Sequence, residues 1–106
     1  MSPFALWFNK IRMNNINEIL AERKKTHGCF ENQATLSQSL KECCRFANMK
    51  HNLNFSQTEA IEMILHKIAR IVVGNPNIQD HWLDISGYAT LVANNLGELN
   101  AIDSER

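Results

Sequence analysis

The chain carries no surplus of charge of either sign. Eleven Lys and Arg balance eleven Asp and Glu over 106 residues. Proteins that coat nucleic acid need a basic excess, because phosphate neutralisation drives that binding. The balance argues against that class and leaves room only for a local basic patch. Long apolar runs are missing too: none approaches the ~20 residues that span a bilayer. There is no cysteine framework. Cys29, Cys43 and Cys44 form an odd set with an adjacent pair and no C-x-x-C spacing. Disulfide scaffolds and zinc fingers are therefore not expected, and reduced thiols in a cytoplasmic protein are. The first dozen residues lack the basic start, continuous apolar stretch and small-residue cleavage site of a secretory leader, so none is expected. No strand-like alternation and no internal repeat occurs.

What remains is ordinary for a folded domain. With 44% hydrophobic and 21% charged residues, disorder over most of the length is not expected. The length suits a single core. Residues 1–12 are read as an N-terminal extension, with Met13 as an alternative start. Its Phe4, Leu6, Trp7, Phe8 and Ile11 are apolar enough to pack on something. Residues 13–98 are read as an all-α helical domain and 99–106 as a frayed tail.

Four helices can be drawn from periodicity and breaks. The first covers about Asn15 to Lys25, with Ile16, Ile19 and Leu20 on one face. Arg23, Lys24, Lys25 and His27 followed by Gly28 form a stop signal, because cations favour a helix C-terminus and glycine caps it. The second covers about Glu31 to Phe46, with Leu36, Leu40, Cys43, Cys44 and Ala47 at helical spacing. Asn48 to Phe55 reads as a loop. The third opens at Ser56, with Glu59 at capping-box distance, and carries Ile61, Ile64, Leu65, Ile68, Ile71 and Val72 as one stripe. Gly74-Asn75-Pro76-Asn77 ends it. The fourth runs from about Asp80 to Leu96, with Trp82, Ile85, Ala89, Val92 and Ala93 as its core stripe. The expected product is a small bundle of four main helices completed by oligomerisation.

At ~100° per residue, Glu59, Glu62, His66 and Arg70 gather opposite the apolar stripe of the third helix. Asp80, His81, Asp84 and Tyr88 gather on one face of the fourth. The bland explanation is that these are the wet sides of amphipathic helices, with Glu59 and Asp80 serving as caps. The alternative is a metal site. Hard cations such as Mg²⁺ take carboxylate oxygens, waters and substrate phosphates. Two facing helices bearing Glu59, Glu62, Asp80, His81 and Asp84 could supply them. Lys67 and Arg70 would then contact phosphates, Arg as a fork and Lys as a point charge; for each, solvent exposure or a salt bridge is the simpler reading. His27, Glu18 and Glu22 are further candidates. For Glu22, pairing with a nearby Lys is the simpler role, and for His27 a surface position at a helix end.

The blocks ERKKTHGCFEN (22–32), EAIEMILHKIARIVVGNPN (59–77) and DHWLDISGYATLV (80–92) resemble a family of short phage and prophage proteins without an assigned activity. The likeness extends from about Asn15 to Leu96. More loosely, the chain resembles the all-α, MazG-like nucleoside triphosphate pyrophosphohydrolases. Those carry E-x-x-E on one helix and E-x-x-D on the next, and the four acids bind Mg²⁺. Glu59-x-x-Glu62 matches the first pair. His81-x-x-Asp84 departs from the second, with Asp80 one residue away. The resemblance implies metal-assisted attack of water on a nucleotide, with release of pyrophosphate. It implies Glu59, Glu62 and Asp84 on Mg²⁺ with Asp80 or His81 completing the site, phosphates held by Lys67 and Arg70, and Tyr88 or Trp82 stacking on a base. It also implies assembly as dimers or tetramers.

Two other functions compete with this one. A non-catalytic helical module, such as a phage accessory protein that binds a host protein, would explain the apolar N-terminal segment and the missing fourth acid. Nucleic-acid binding through Arg23 to His27 rests on four basic residues at one helix end.

Overall fold

The computed structural model describes residues 3–105, apart from the side chains at positions 4, 7–14, 26 and 103–105. The fold is all-α, and no strand occurs among the described residues. Four helices follow one another: α1 Pro3–His27, α2 Phe30–Ala47, α3 Phe55–Val73 and α4 Gln79–Glu105.

The breaks have local causes. Gly28 has φ 76°, a conformation that disfavours side chains, and its N–H bonds the Lys24 carbonyl at 2.9 Å. A Cβ there would lie 2.5 Å from the Val73 carbonyl oxygen. Glycine thus ends α1 and also lets the α1–α2 junction rest on the C-terminal end of α3. The start of α3 is capped two residues earlier than its sequence implies. Asn54, not Ser56, is the N-cap. Its side chain accepts from the Gln57 N–H at 2.8 Å, and the Gln57 side chain accepts from the Asn54 N–H at 3.0 Å. Both residue pairs have the spacing of a capping box, but amide side chains at 54 and 57 fill the roles as well as Ser and Glu would.

α3 and α4 form an antiparallel hairpin across the turn at residues 74–78, and α2 packs on α3. The face that α4 turns inward is the expected one only in part: Ile85 and Val92 lie on it. Trp82 is 55% exposed, and Ala89 and Ala93 are exposed as well. The inner row is His81, Ile85, Tyr88 and Val92, which are spaced four, three and four apart and so share one helix face. Trp82 instead lies back over the turn and donates from Nε1 to the Pro76 carbonyl at 2.8 Å. The indole serves an acceptor that the Gly-Asn-Pro turn would otherwise leave to water. On α2 the inner row is Gln33, Leu36, Ser37, Leu40 and Lys41, while Cys43, Cys44 and Ala47 face solvent.

Both ends of the chain are helical beyond expectation. α1 begins at Pro3, so the backbone of the presumed extension is continuous with the first helix, and α4 continues through Glu105. Of the apolar N-terminal residues, Leu6 is exposed, while the side chains of Phe4, Trp7, Phe8 and Ile11 lie outside the described ones. α4 is eight residues longer than α3, from 27 and 19 residues. Phe55, the first residue of α3, shares a groove with Val92 and Asn95, so α4 past about residue 96 overhangs its partner helix.

The result is an elongated molecule of 70 × 28 × 27 Å with a radius of gyration of 19.8 Å. A compact chain of this length has about 13 Å. Its surface is 8314 Å², against about 6,000 Å² for a compact monomer of its mass. Only Ala60, Ala69 and Ile71 are buried apolar residues among those described. The apolar row of α1 (Ile16, Ile19, Leu20) is fully periodic yet exposed, as are Leu91, Leu99 and Ile102 of α4.

Candidate functional site

Three of the most buried residues described are polar and lie in one region. It lies where the end of α1, the start of α2, the second half of α3 and the start of α4 meet. Gln33 is 5% exposed, Ser37 2% and His81 4%. Ser37 Oγ, His81 Nε2 and Arg70 Nε are each buried without a hydrogen-bond partner among the described residues. Buried polar atoms are nearly always satisfied, and each that is not costs about 1–3 kcal/mol. Three together mark a junction not optimised for stability alone.

A pocket of about 540 Å³ opens on this junction. α1 contributes Arg23, Lys24 and His27, α2 contributes Glu31 and Gln33, and α3 contributes His66 and Arg70. The helix termini place them. Gly28 turns the chain so that the last turn of α1 meets the first turn of α2. One α-helical turn separates His66 from Arg70, so both reach the same opening. His27 Nδ1 lies 3.2 Å from the Arg23 carbonyl, which makes that nitrogen the N–H donor. The His27 ring also meets the His81 ring edge-on, with centroids 4.9 Å apart.

Charges in the pocket press on one another. Burial, then Arg70, His81 and Arg23, hold the His27 imidazole below the usual histidine range, partly countered by its bond to the Arg23 carbonyl. Burial again, then Arg70, Lys41, Lys67 and His27, do the same to His66. The Arg70 guanidinium is lowered by burial and by Arg23, and is supported by Asp84 and Tyr88. Three fixed cations, Arg23, Lys24 and Arg70, face one carboxylate, Glu31.

The carboxylates expected to share a metal are dispersed within one chain. Glu62 is paired with Arg45 of α2 at 2.9 Å. Asp84 is paired with Lys67 at 2.9 Å, which clamps α4 to α3 and holds the Asp84 carboxyl below its usual range. Glu59 borders a different groove, beside Phe55, Tyr88, Leu91 and Asn95. Asp80 is exposed in the first turn of α4. His81 is buried, with its ring against His27, and acts on Asp84 only as a nearby charge. Among the described residues no group of three or more His, Cys, Asp or Glu side chains could hold a metal ion. Of the two expected phosphate ligands, Arg70 lines the pocket and Lys67 is committed to Asp84. Glu22 forms an exposed ion pair with Lys25 at 3.0 Å, as its spacing implied.

Gln33 and Ser37 were not legible as site residues. Their one available signal is a four-residue spacing directly after the Gly28 break, which puts two polar groups on one face of α2.

A family model described as a domain of unknown function, DUF6378, matches residues 12–96. The chain belongs to the DUF6378 family. No curated protein and no solved structure matches it. The matched span holds all of the pocket-lining residues and both members of the Lys67–Asp84 pair. The α1 residues before 12 and the α4 overhang fall outside it.

Proposed function

We propose that this DUF6378 protein is a helical interaction module whose exposed apolar faces are covered by a second copy of the same chain. One observation carries this reading. The chain exposes about 2,300 Å² more surface than a compact monomer of its mass, from 8314 Å² against the expected value. Obligate homodimer interfaces bury about 2,000–5,000 Å² in total. Periodic apolar residues stand in that surface: Ile16, Ile19 and Leu20 on α1, and Leu91, Leu99 and Ile102 on α4. Helices with an unmet apolar stripe are stable when another helix fills it. Phe55, 96% exposed at the mouth of the Tyr88–Leu91 groove, is placed to enter the partner. An obligate dimer has a melting temperature that rises with protein concentration. A Tm independent of concentration over about a hundredfold range contradicts the reading.

A second reading keeps the pyrophosphohydrolase chemistry in such an assembly. It is favoured by the α3–α4 pairing. That pairing sets the helix bearing Glu59-x-x-Glu62 against the helix bearing Asp80 and Asp84, but antiparallel, so within one chain Glu59 lies by Leu91 and Asn95 and only a second copy could bring the acids together. Glu59, Glu62 and Asp84, joined by acids of the second copy, would hold Mg²⁺, which neutralises phosphate charge and activates water. The measurement is pyrophosphate release from the common nucleoside triphosphates with Mg²⁺ or Mn²⁺. Release that disappears in Glu62→Gln supports it, and no release from any of them removes it. A phage or prophage accessory role, with a host protein as target, is compatible with either reading.

A further inference from the structure

We infer that the pocket between α1, α2 and α3 is a binding site for the phosphoryl group of a small molecule, held by Arg23, His27, His66 and Arg70. The inference rests on neither reading above, because every lining residue comes from one chain and no metal is involved.

Four observations converge. First, the pocket is walled by cations from separate helices: Arg23 and Lys24 of α1, Arg70 of α3, with His27 and His66 between them. Glu31, exposed on the first turn of α2, is the one carboxylate on its rim. Basic groups brought together by the fold disfavour one another's charged forms, as Arg70 does to His27 and His66, and an anion bound among them would favour those forms. Second, the guanidinium of Arg70 has its Nε buried with no acceptor among the described residues. A buried N–H lacking an acceptor is costly, and a phosphoryl oxygen would supply one. Third, Gln33 is nine-tenths buried and borders the same space. Its carboxamide offers both a donor and an acceptor to an occupant. Fourth, α2 starts at the pocket with Phe30, and its N-cap Cys29 makes no side-chain capping bond. The N-terminal end of α2, where the helix dipole is positive, therefore borders the pocket.

The volume, about 540 Å³, lies within the range of small-molecule sites. It exceeds what one phosphate ion fills. The occupant therefore carries a phosphoryl group on a larger body, seated against Phe30.

The test is isothermal calorimetry on the full chain in excess EDTA at fixed ionic strength. The probes are inorganic phosphate, pyrophosphate, a nucleoside monophosphate and a nucleoside triphosphate. EDTA removes metal-dependent binding and turnover, so loss of the pyrophosphohydrolase reading leaves this result untouched. At least one probe is expected to bind with millimolar or tighter affinity. Arg70→Gln and the more exposed Arg23→Gln should each weaken it by about tenfold, the loss of one charge-assisted contact. Lys50→Gln, in the distant α2–α3 loop, should leave it unchanged. Tighter binding of the nucleotides than of the inorganic ions assigns the larger body to a nucleotide; equal binding assigns recognition to the phosphoryl group alone. No heat from any probe at about 10 mM overturns the proposal. So does binding that Arg70→Gln and Arg23→Gln, both folded by circular dichroism, leave at wild-type strength.

Discussion

The four-helix junction and the outer faces of α1 and α4 invert the usual relation between polarity and burial. At the junction, Gln33, Ser37, His81 and part of Arg70 are enclosed, and some of their polar atoms lack partners. Along the arms, Leu20, Leu91 and Leu99 stand in solvent at regular helical spacing. A chain selected only to be a stable monomer would exchange these contents. The junction is shaped for something polar to enter, and the arms are shaped for something apolar to cover them. Substitutions in the two regions should therefore behave differently. Junction changes should cost the same at any protein concentration, whereas arm changes should cost most where the chains are associated.

The largest effect belongs to Gly28→Ala at the junction. The residue has φ 76°, and its new Cβ would sit 2.5 Å from the Val73 carbonyl oxygen. Left-handed backbone alone costs about 1–2 kcal/mol, and backbone must move as well. A loss of at least about 3 kcal/mol in denaturant melts, unchanged by dilution, is expected. Next comes Leu91→Glu on an arm. Covering a leucine is worth roughly 2 kcal/mol, so the variant should melt lower at high concentration and shift toward monomer. An equal loss at all concentrations would erase the contrast between the regions. Asn54→Ala removes the cap of α3 and should cost about 1 kcal/mol.

Acidification sharpens the contrast. His27 and His66 are both held below 6.5 in the folded protein. The unfolded chain then takes up protons first, so stability falls as pH drops through 6.5 toward the lower folded values. The groups facing them are Arg23, Arg70, Lys41, Lys67 and His81, with Glu31 on the rim. Asp84, also lowered, acts in the same direction but only below its usual value of 3.8, outside that window. Tm should therefore decline between about pH 7.5 and 5.5, and His66→Gln should flatten the decline. The smallest effect is expected for Glu22→Gln. Its ion pair with Lys25 is exposed at both ends, and such pairs are worth less than about 0.5 kcal/mol.

The sequence made the four helices legible, because Gly28 and Gly74–Pro76 break periodic stripes unambiguously. It made legible only part of the face that α4 turns inward. Hydrophobicity alone places Trp82 in the core and His81 outside. The structure does the reverse, since the indole N–H serves the Pro76 carbonyl and the imidazole edge packs on His27. Charge rows on α3 and α4 were visible, but their partners were not. Arg45 and Lys67 neutralise Glu62 and Asp84 through contacts between helices that periodicity does not specify. Arg70, His66 and His27 could each be singled out as chemistry-bearing residues. Their convergence depends on Gly28 seating the α1–α2 turn against Val73, which is a tertiary fact.

The most direct measurement is the molar mass of the full chain in solution, by light scattering or sedimentation equilibrium at micromolar concentration. The account predicts twice the chain mass of 12.1 kDa or a higher multiple, with Leu91→Glu shifted toward the single-chain value. A stable, folded species of 12.1 kDa would mean that the arms need no cover, and the division between a polar junction and partner-seeking faces would fail.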